Sequence, residues 1–193
     1  DKYFVNTLLK KNKTDYFEDE FVHRDEHSIG FQAVFLKYLY NQKKDFNIVP
    51  ILCSSFGEAD KNEADSKQTC QFRKFVSSLK ETIKECGKKI CIIASVDLAH
   101  VGSRFGDTEH QDDAYLDTLR SDDTDMLKHI ENLDAEGFNN SVQKDQNSRK
   151  ICGYPAINTL LNVIDASEGK LLKYSQYPDE TNSTVSFASM SFY

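Results

Sequence analysis

No stretch of this 193-residue sequence is apolar for long enough to span a bilayer, so no transmembrane helix is expected. The five cysteines, Cys53, Cys70, Cys86, Cys91 and Cys152, contain no Cys-x-x-Cys pair, and their odd number cannot close a complete disulfide framework. That usage argues against a structural zinc cluster and fits a reducing compartment. Positive charge is also short: 24 Lys and Arg stand against 31 Asp and Glu, for a net charge of -7. With no basic stripe, a phosphate-backbone partner is not expected. The many aspartates between 106 and 146 lack the alternating ligands and central glycine of a calcium loop, and they read as a solvated, capped surface. No repeat, low-complexity tract or interdomain linker divides the chain, and no secretory leader pattern is visible. One cytoplasmic domain over 1–193 is the resulting expectation.

What is present is organised around Lys88 to Arg104. Ile90 to Ala94 is a short unbroken apolar run rich in β-branched residues, which suits a strand buried on both faces. Ser95, Asp97 and His100 follow it, and Gly102 marks a turn. In open α/β sheets ligands bind beyond the carboxyl edge of the strands. A carboxylate and an imidazole placed there are candidates for proton transfer or metal binding. The plainer alternative is a turn-capping Asp97 and a half-buried His100.

Around this stretch the periodicities alternate between helix and strand. Asp1 to Lys11 carries Phe4, Leu8 and Leu9 at helical spacing. Ile29 to Tyr40 bears Ile29, Phe31, Val34, Phe35, Leu36, Tyr38 and Leu39, which predicts a wide apolar stripe facing a core. His27 and Ser28 stand at its start, where unpaired amides favour a neutral imidazole fit to bind a metal, or where either residue is simply a cap. Phe46 to Cys53 reads as a strand, near an edge because of Pro50. Residues 54–66 form a polar loop, and Lys67 to Glu85 a helix closed by Gly87. Ser121 to Asp125 is rich in capping residues, which predicts one helix ending near Arg120 and another starting near Asp123. A further helix starts at Asp134. Gly153 and Pro155 open the helix Ala156 to Ile164, and Cys152 just before it is expected to have a lowered pKa, as a thiolate ligand or nucleophile. The alternative is a small buried hydrophobe. Leu171 to Tyr177 and Thr184 to Tyr193 read as an antiparallel hairpin. Together these elements predict an α/β fold with a layered sheet flanked by helices.

Five motifs in order resemble the MEMO family: His23-Arg-Asp-Glu-His27-Ser28, Phe46 to Leu52, Ala94 to His100, Ile151-Cys-Gly-Tyr-Pro155, and Leu171 to Gln176 with Ser183 to Ala188. The resemblance implies a fold like the class III extradiol dioxygenases, which hold non-haem iron on two histidines and a carboxylate. In MEMO proteins a cysteine stands in for the carboxylate. Carried onto this chain, it makes His27 and Cys152 metal ligands for iron or copper. His100, with Asp97 beside it, faces the substrate pocket as the catalytic pair. The family's opening strand and its His-Ala-Gly-like loop have no counterpart before His27, so the resemblance also predicts a single domain lacking that segment. Three functions follow from it: a redox enzyme acting on a small molecule, a signalling adaptor for phosphotyrosine peptides, or a copper buffer. For the adaptor, Arg104, Arg149 and Lys150 lie near the candidate loops.

Overall fold

The structure is a computed structural model that describes residues 1–12, 14–40, 43–54 and 67–193. The polar loop expected over 54–66 therefore lies almost wholly outside the described residues. The chain divides into two compact units, Asp1–Ser95 and Val96–Tyr193.

The first unit is helical among its described residues: α1 (Lys2–Lys11), a 3₁₀ turn (Glu20–Arg24), α2 (Ser28–Tyr40) and α3 (Lys67–Glu85). Asp1 caps α1 by accepting from the Phe4 amide, which satisfies one of the unpaired N–H groups of the first turn. Lys10 and Lys11 complement the dipole at its other end. Phe4 and Leu8, one turn apart, form the buried face of α1, and it packs on α3. The Lys11 ammonium lies 2.7 Å from the Glu85 carboxylate. On α3, Ser78, Leu79 and Thr82 are buried, and the Thr82 hydroxyl donates back to the Ser78 carbonyl. Gly87 takes φ +61° just past the helix end, as its position predicts.

Two expectations for this unit fail. Neither Phe46–Cys53 nor Ile90–Ala94 is a strand; both lie outside regular structure, and Ile90, Ile92 and Ile93 are exposed. A strand needs a neighbour to complete its ladder, and no described strand runs beside either segment. The second is α2: its limits are as predicted, yet none of its residues is buried, and Phe31, Val34, Phe35, Tyr38 and Leu39 are all exposed. The apolar pattern forms the helix, but no described element covers its face.

The second unit contains β1 (His100–Gly102), a 3₁₀ turn (Ser103–Phe105), α4 (Asp113–Glu131), α5 (Ala135–Gln143), α6 (Tyr154–Val163), β2 (Gly169–Pro178) and β3 (Ser183–Phe192). The sheet is small and wholly antiparallel, in the order β1-β3-β2. The predicted hairpin is there, with Tyr174 opposite Ala188, and with an irregularity between Leu171 and Lys173. On the inward face of β3 stand Thr184, Ser186, Ala188, Met190 and Phe192, a small and partly polar set. Short β1 pairs His100 with Val185. Gly102 takes φ +107°, and a Cβ there would lie 2.5 Å from the Ser183 Cα, so this crossing of β1 and β3 requires glycine.

The core of this unit joins Leu98, Ala99 and Val101 to Leu119, Met126, Leu127 and Ile130 of α4, to Phe138 and Val142 of α5, and to Ile151, Ile157 and Leu161. Helix α4 does not break at Ser121–Asp125 as predicted. It runs unbroken because the residues that signal a cap are used otherwise: Thr124 donates to the Arg120 carbonyl, Asp125 pairs with Lys128, and Asp123 points inward. The capping residues in use are Asp112 for α4, accepting from the Tyr115 amide, and Asp134 for α5, accepting from the Gly137 amide.

Candidate functional site

The segment Asp97–His100 crosses the loop Arg149–Gly153 at one edge of the second unit. Backbone bonds hold the segment on both sides, to β3 and to the loop. The Leu98 amide donates to the Ser186 carbonyl at 2.9 Å, and the Ser186 amide returns a bond to the Ala99 carbonyl at 3.0 Å. The His100 amide donates to the Arg149 carbonyl at 2.8 Å. Gly153 completes it: a Cβ at that position would lie 2.5 Å from the Asp97 carbonyl oxygen and 2.7 Å from a Val96 methyl. The glycine in Ile-Cys-Gly-Tyr-Pro therefore lets the two chains approach. Cys152 Sγ points at the Asp97 carbonyl oxygen, 3.8 Å away.

Three of the four residues singled out in the sequence are thus brought together: Asp97, His100 and Cys152. His100 is half-buried, stacked edge-on against Phe105 with ring centres 5.1 Å apart. Its Nδ1 lies 3.2 Å from the Leu98 carbonyl and its Nε2 lies 3.9 Å from Asp97 Oδ2. A proton on Nδ1 satisfies the carbonyl and leaves the lone pair on Nε2, which faces the Asp97 carboxylate.

The thiol departs from expectation. Cys152 precedes a helix start, yet its pKa is raised rather than lowered. Desolvation of the sulfur among its neighbours is the main cause, and the nearby Asp97 charge adds to it. The residue remains exposed at its surface, so the thiol is reachable though reluctant to ionise.

His27, the fourth residue, belongs to the first unit. It is exposed, and its ring meets Phe31 edge-on with centres 5.8 Å apart. The cap of α2 is neither His27 nor Ser28. It is the Glu26 carboxylate, which accepts from the Ile29 amide at 2.9 Å and from the Ser28 hydroxyl at 2.8 Å. The Ile29 amide bond leads the causes that lower the Glu26 pKa. With capping done by its neighbour, the His27 imidazole lines a shallow hollow of about 410 Å³ with Val22, Asp25, Glu26 and Ser28.

The three cations nominated for a peptide phosphate each have a carboxylate partner. Arg104 Nη1 lies 2.8 Å from Asp179, Lys150 pairs with Asp107, and Arg149 Nη1 lies 2.7 Å from Asp123. Arg149 is buried, which removes it from any exposed anion site.

Sequence reasoning missed Asp123. Its side chain is fully buried and accepts from Arg149 Nη1 at 2.7 Å, Tyr174 Oη at 2.9 Å and Ser186 Oγ at 2.5 Å. Burial pushes its carboxyl up, while these three donors pull the other way. The signal was its phase. Leu119, Asp123, Met126, Leu127 and Ile130 recur at helical spacing, so an aspartate stands on the apolar stripe of α4.

Among the described residues, no group of three or more His, Cys, Asp or Glu side chains is arranged to hold a metal ion. A cysteine and imidazoles have the donor chemistry for copper(I) or iron. An ion held at either candidate ligand would need further donors to complete its coordination.

The architecture defines an α/β protein with a polar, cysteine-bearing edge on a small antiparallel sheet. The chain belongs to the Memo-like protein family, whose model matches residues 1–191. It is 31% identical to a MEMO1 family protein of Aquifex aeolicus over 193 residues, covering 98% of this chain and 46% of that protein. It is 28% identical to MEMO1 family protein Mbar_A1422 of Methanosarcina barkeri, covering 89% and 57%. A MEMO1 family protein of Desulfurococcus amylolyticus is 29% identical, with 98% and 59% covered. The chain spans about half the length of the curated relatives it matches.

Proposed function

We propose that this chain is a metal-binding member of the MEMO family, taking iron or copper, with Cys152 as a protein ligand in its second unit and His27 as a candidate ligand in its first. In this reading the protein is related in chemistry and fold to the class III extradiol dioxygenases and acts on a small molecule in a redox reaction. The observation that carries it is the crossing at Asp97–His100 and Arg149–Gly153, where the sulfur and the imidazole–carboxylate pair share one edge. His100 would take or give a proton at Nε2, and Asp97 would hold the ring and balance its charge. The metal, when bound, would supply the electron-transfer chemistry that side chains lack. Adaptor and copper-buffer roles are the competing readings. The adaptor loses support from the pairing of Arg104, Arg149 and Lys150 with carboxylates.

The test is copper(I) competition against a chromogenic chelator, together with metal analysis, on the chain and its Cys152→Ser and His27→Ala variants. Each variant is expected to lose affinity by about tenfold or more. Undiminished stoichiometric copper in Cys152→Ser overturns the ligand assignment. An iron-loaded protein that consumes dioxygen with a small aromatic or thiol substrate, and loses that turnover in His100→Ala, supports the enzyme. Tight copper without turnover supports the buffer instead.

A further inference from the structure

The two segments of the candidate edge come from distant parts of the unit, and backbone bonds alone leave open what sets their spacing. Both lead to the same buried group. Ser186 Oγ donates to Asp123 Oδ2 at 2.5 Å and at the same time accepts from the Ala99 amide at 3.0 Å. Ala99 lies between Asp97 and His100 and is fully buried. On the other oxygen, Asp123 Oδ1 accepts from Arg149 Nη1 at 2.7 Å. The Arg149 carbonyl in turn accepts from the His100 amide, and Cys152 is three residues further on. Tyr174 Oη, from β2, donates to Asp123 Oδ2 at 2.9 Å and fixes the carboxylate plane.

We propose that Asp123 is the positioning residue of the candidate site: its two carboxylate oxygens hold the Asp97–His100 segment through Ser186 and the Cys152 loop through Arg149. Asp123 touches neither candidate residue. It acts through two intermediaries, and its burial excludes a direct role with substrate. A carboxylate suits the task because it alone accepts from three donors without offering a proton of its own. The Arg149 charge offsets what burying the anion costs, and replacing one partner leaves the other unpaired. An apolar residue at this point in α4 would satisfy the stripe and leave both segments unanchored. The inference rests on the reading that Asp97, His100 and Cys152 form one site, but its exchange and NMR measurements involve no metal.

The test is amide hydrogen exchange and His100 ring NMR on the whole chain with Asp123→Asn and Ser186→Ala. In Asp123→Asn the Ala99 and His100 amides are expected to exchange at least about tenfold faster, and the His100 ring resonances to move. Ser186→Ala removes only the hydroxyl between Asp123 and Ala99, so Ala99 should lose protection by the same factor. In both variants Phe138 and Val142, buried in α5, keep theirs. Folded Asp123→Asn protein with unchanged Ala99 and His100 overturns the proposal. Protection lost equally at Phe138 and Val142 also overturns it, because that is general loosening. If Asp123→Asn does not fold, Ser186→Ala decides by the Ala99 amide alone. Copper bound through Cys152 with unmoved segments sinks this proposal and spares the functional reading; moved segments without copper binding do the reverse.

Discussion

A methyl group at position 153 has no room. It would stand 2.5 Å from the Asp97 carbonyl oxygen and 2.8 Å from Val96 Cβ, against backbone and a branched carbon that cannot rotate away. Gly153→Ala must therefore push the two segments apart. The expected cost is about 1–3 kcal/mol, read as a lower urea midpoint at unchanged slope. On the proposed metal-binding reading, copper affinity should fall with it, because Cys152 is the adjacent residue. An unchanged midpoint would show that the crossing is looser than these distances require. At this scale the sequence was partly legible. Asp97, His100 and Cys152 stood out by residue type and by position at element ends. The direction of the Cys152 shift did not, because it depends on burial in the folded unit and on the charge of Asp97, 55 residues away. Asp123 was hidden in a run of capping residues, although its place on the Leu119–Ile130 stripe marked it as buried.

Turns and caps decide the elements, and the β2–β3 turn shows how. Asp179 Oδ1 accepts from the Thr181 hydroxyl at 2.6 Å, the Thr181 amide at 2.8 Å and the Ser183 amide at 3.2 Å, while Oδ2 meets Arg104 at 2.8 Å. Led by the Thr181 hydroxyl and then Arg104, these donors hold its pKa down to about 2 from an ordinary 3.8. A carboxyl depressed in the fold contributes stability that is fully present above 3.8 and is lost as pH falls toward about 2. Asp179→Asn should remove that acid-side slope, lowering stability at neutral pH and flattening melts between pH 4 and 2 on the order of that window. Equal slopes in parent and variant would refute the assignment. The hairpin was legible because its pairing is local and its turn residues are diagnostic. The strands expected at Phe46–Cys53 and Ile90–Ala94 were not decidable from composition, since apolar runs need a partner before they become strands. The break expected in α4 failed for a related reason. Cap chemistry is a local preference, and burial of Leu119, Met126, Leu127 and Ile130 overrides it.

Across the chain the apolar residues divide into two populations that the sequence does not distinguish. Phe138 and Phe35 both stand on helices with a clear apolar pattern, yet Phe138 is fully buried and Phe35 is 61% exposed. The second unit fills its core with α4, α5, α6 and the inner face of the sheet. In the first unit, Phe31, Val34, Phe35, Tyr38 and Leu39 of α2 remain uncovered by any described element. A periodicity states that a face is apolar and is silent on what covers it, which is why the limits of α2 were legible and its burial was not. Truncation separates the cases. Phe138→Ala should cost about 3–5 kcal/mol, by lost transfer energy and the cavity left behind. Phe35→Ala should stay within about 0.5 kcal/mol, as exposed substitutions do. Urea unfolding of both variants measures the difference. A Phe35→Ala cost approaching that of Phe138→Ala would mean that α2 faces a core in solution after all.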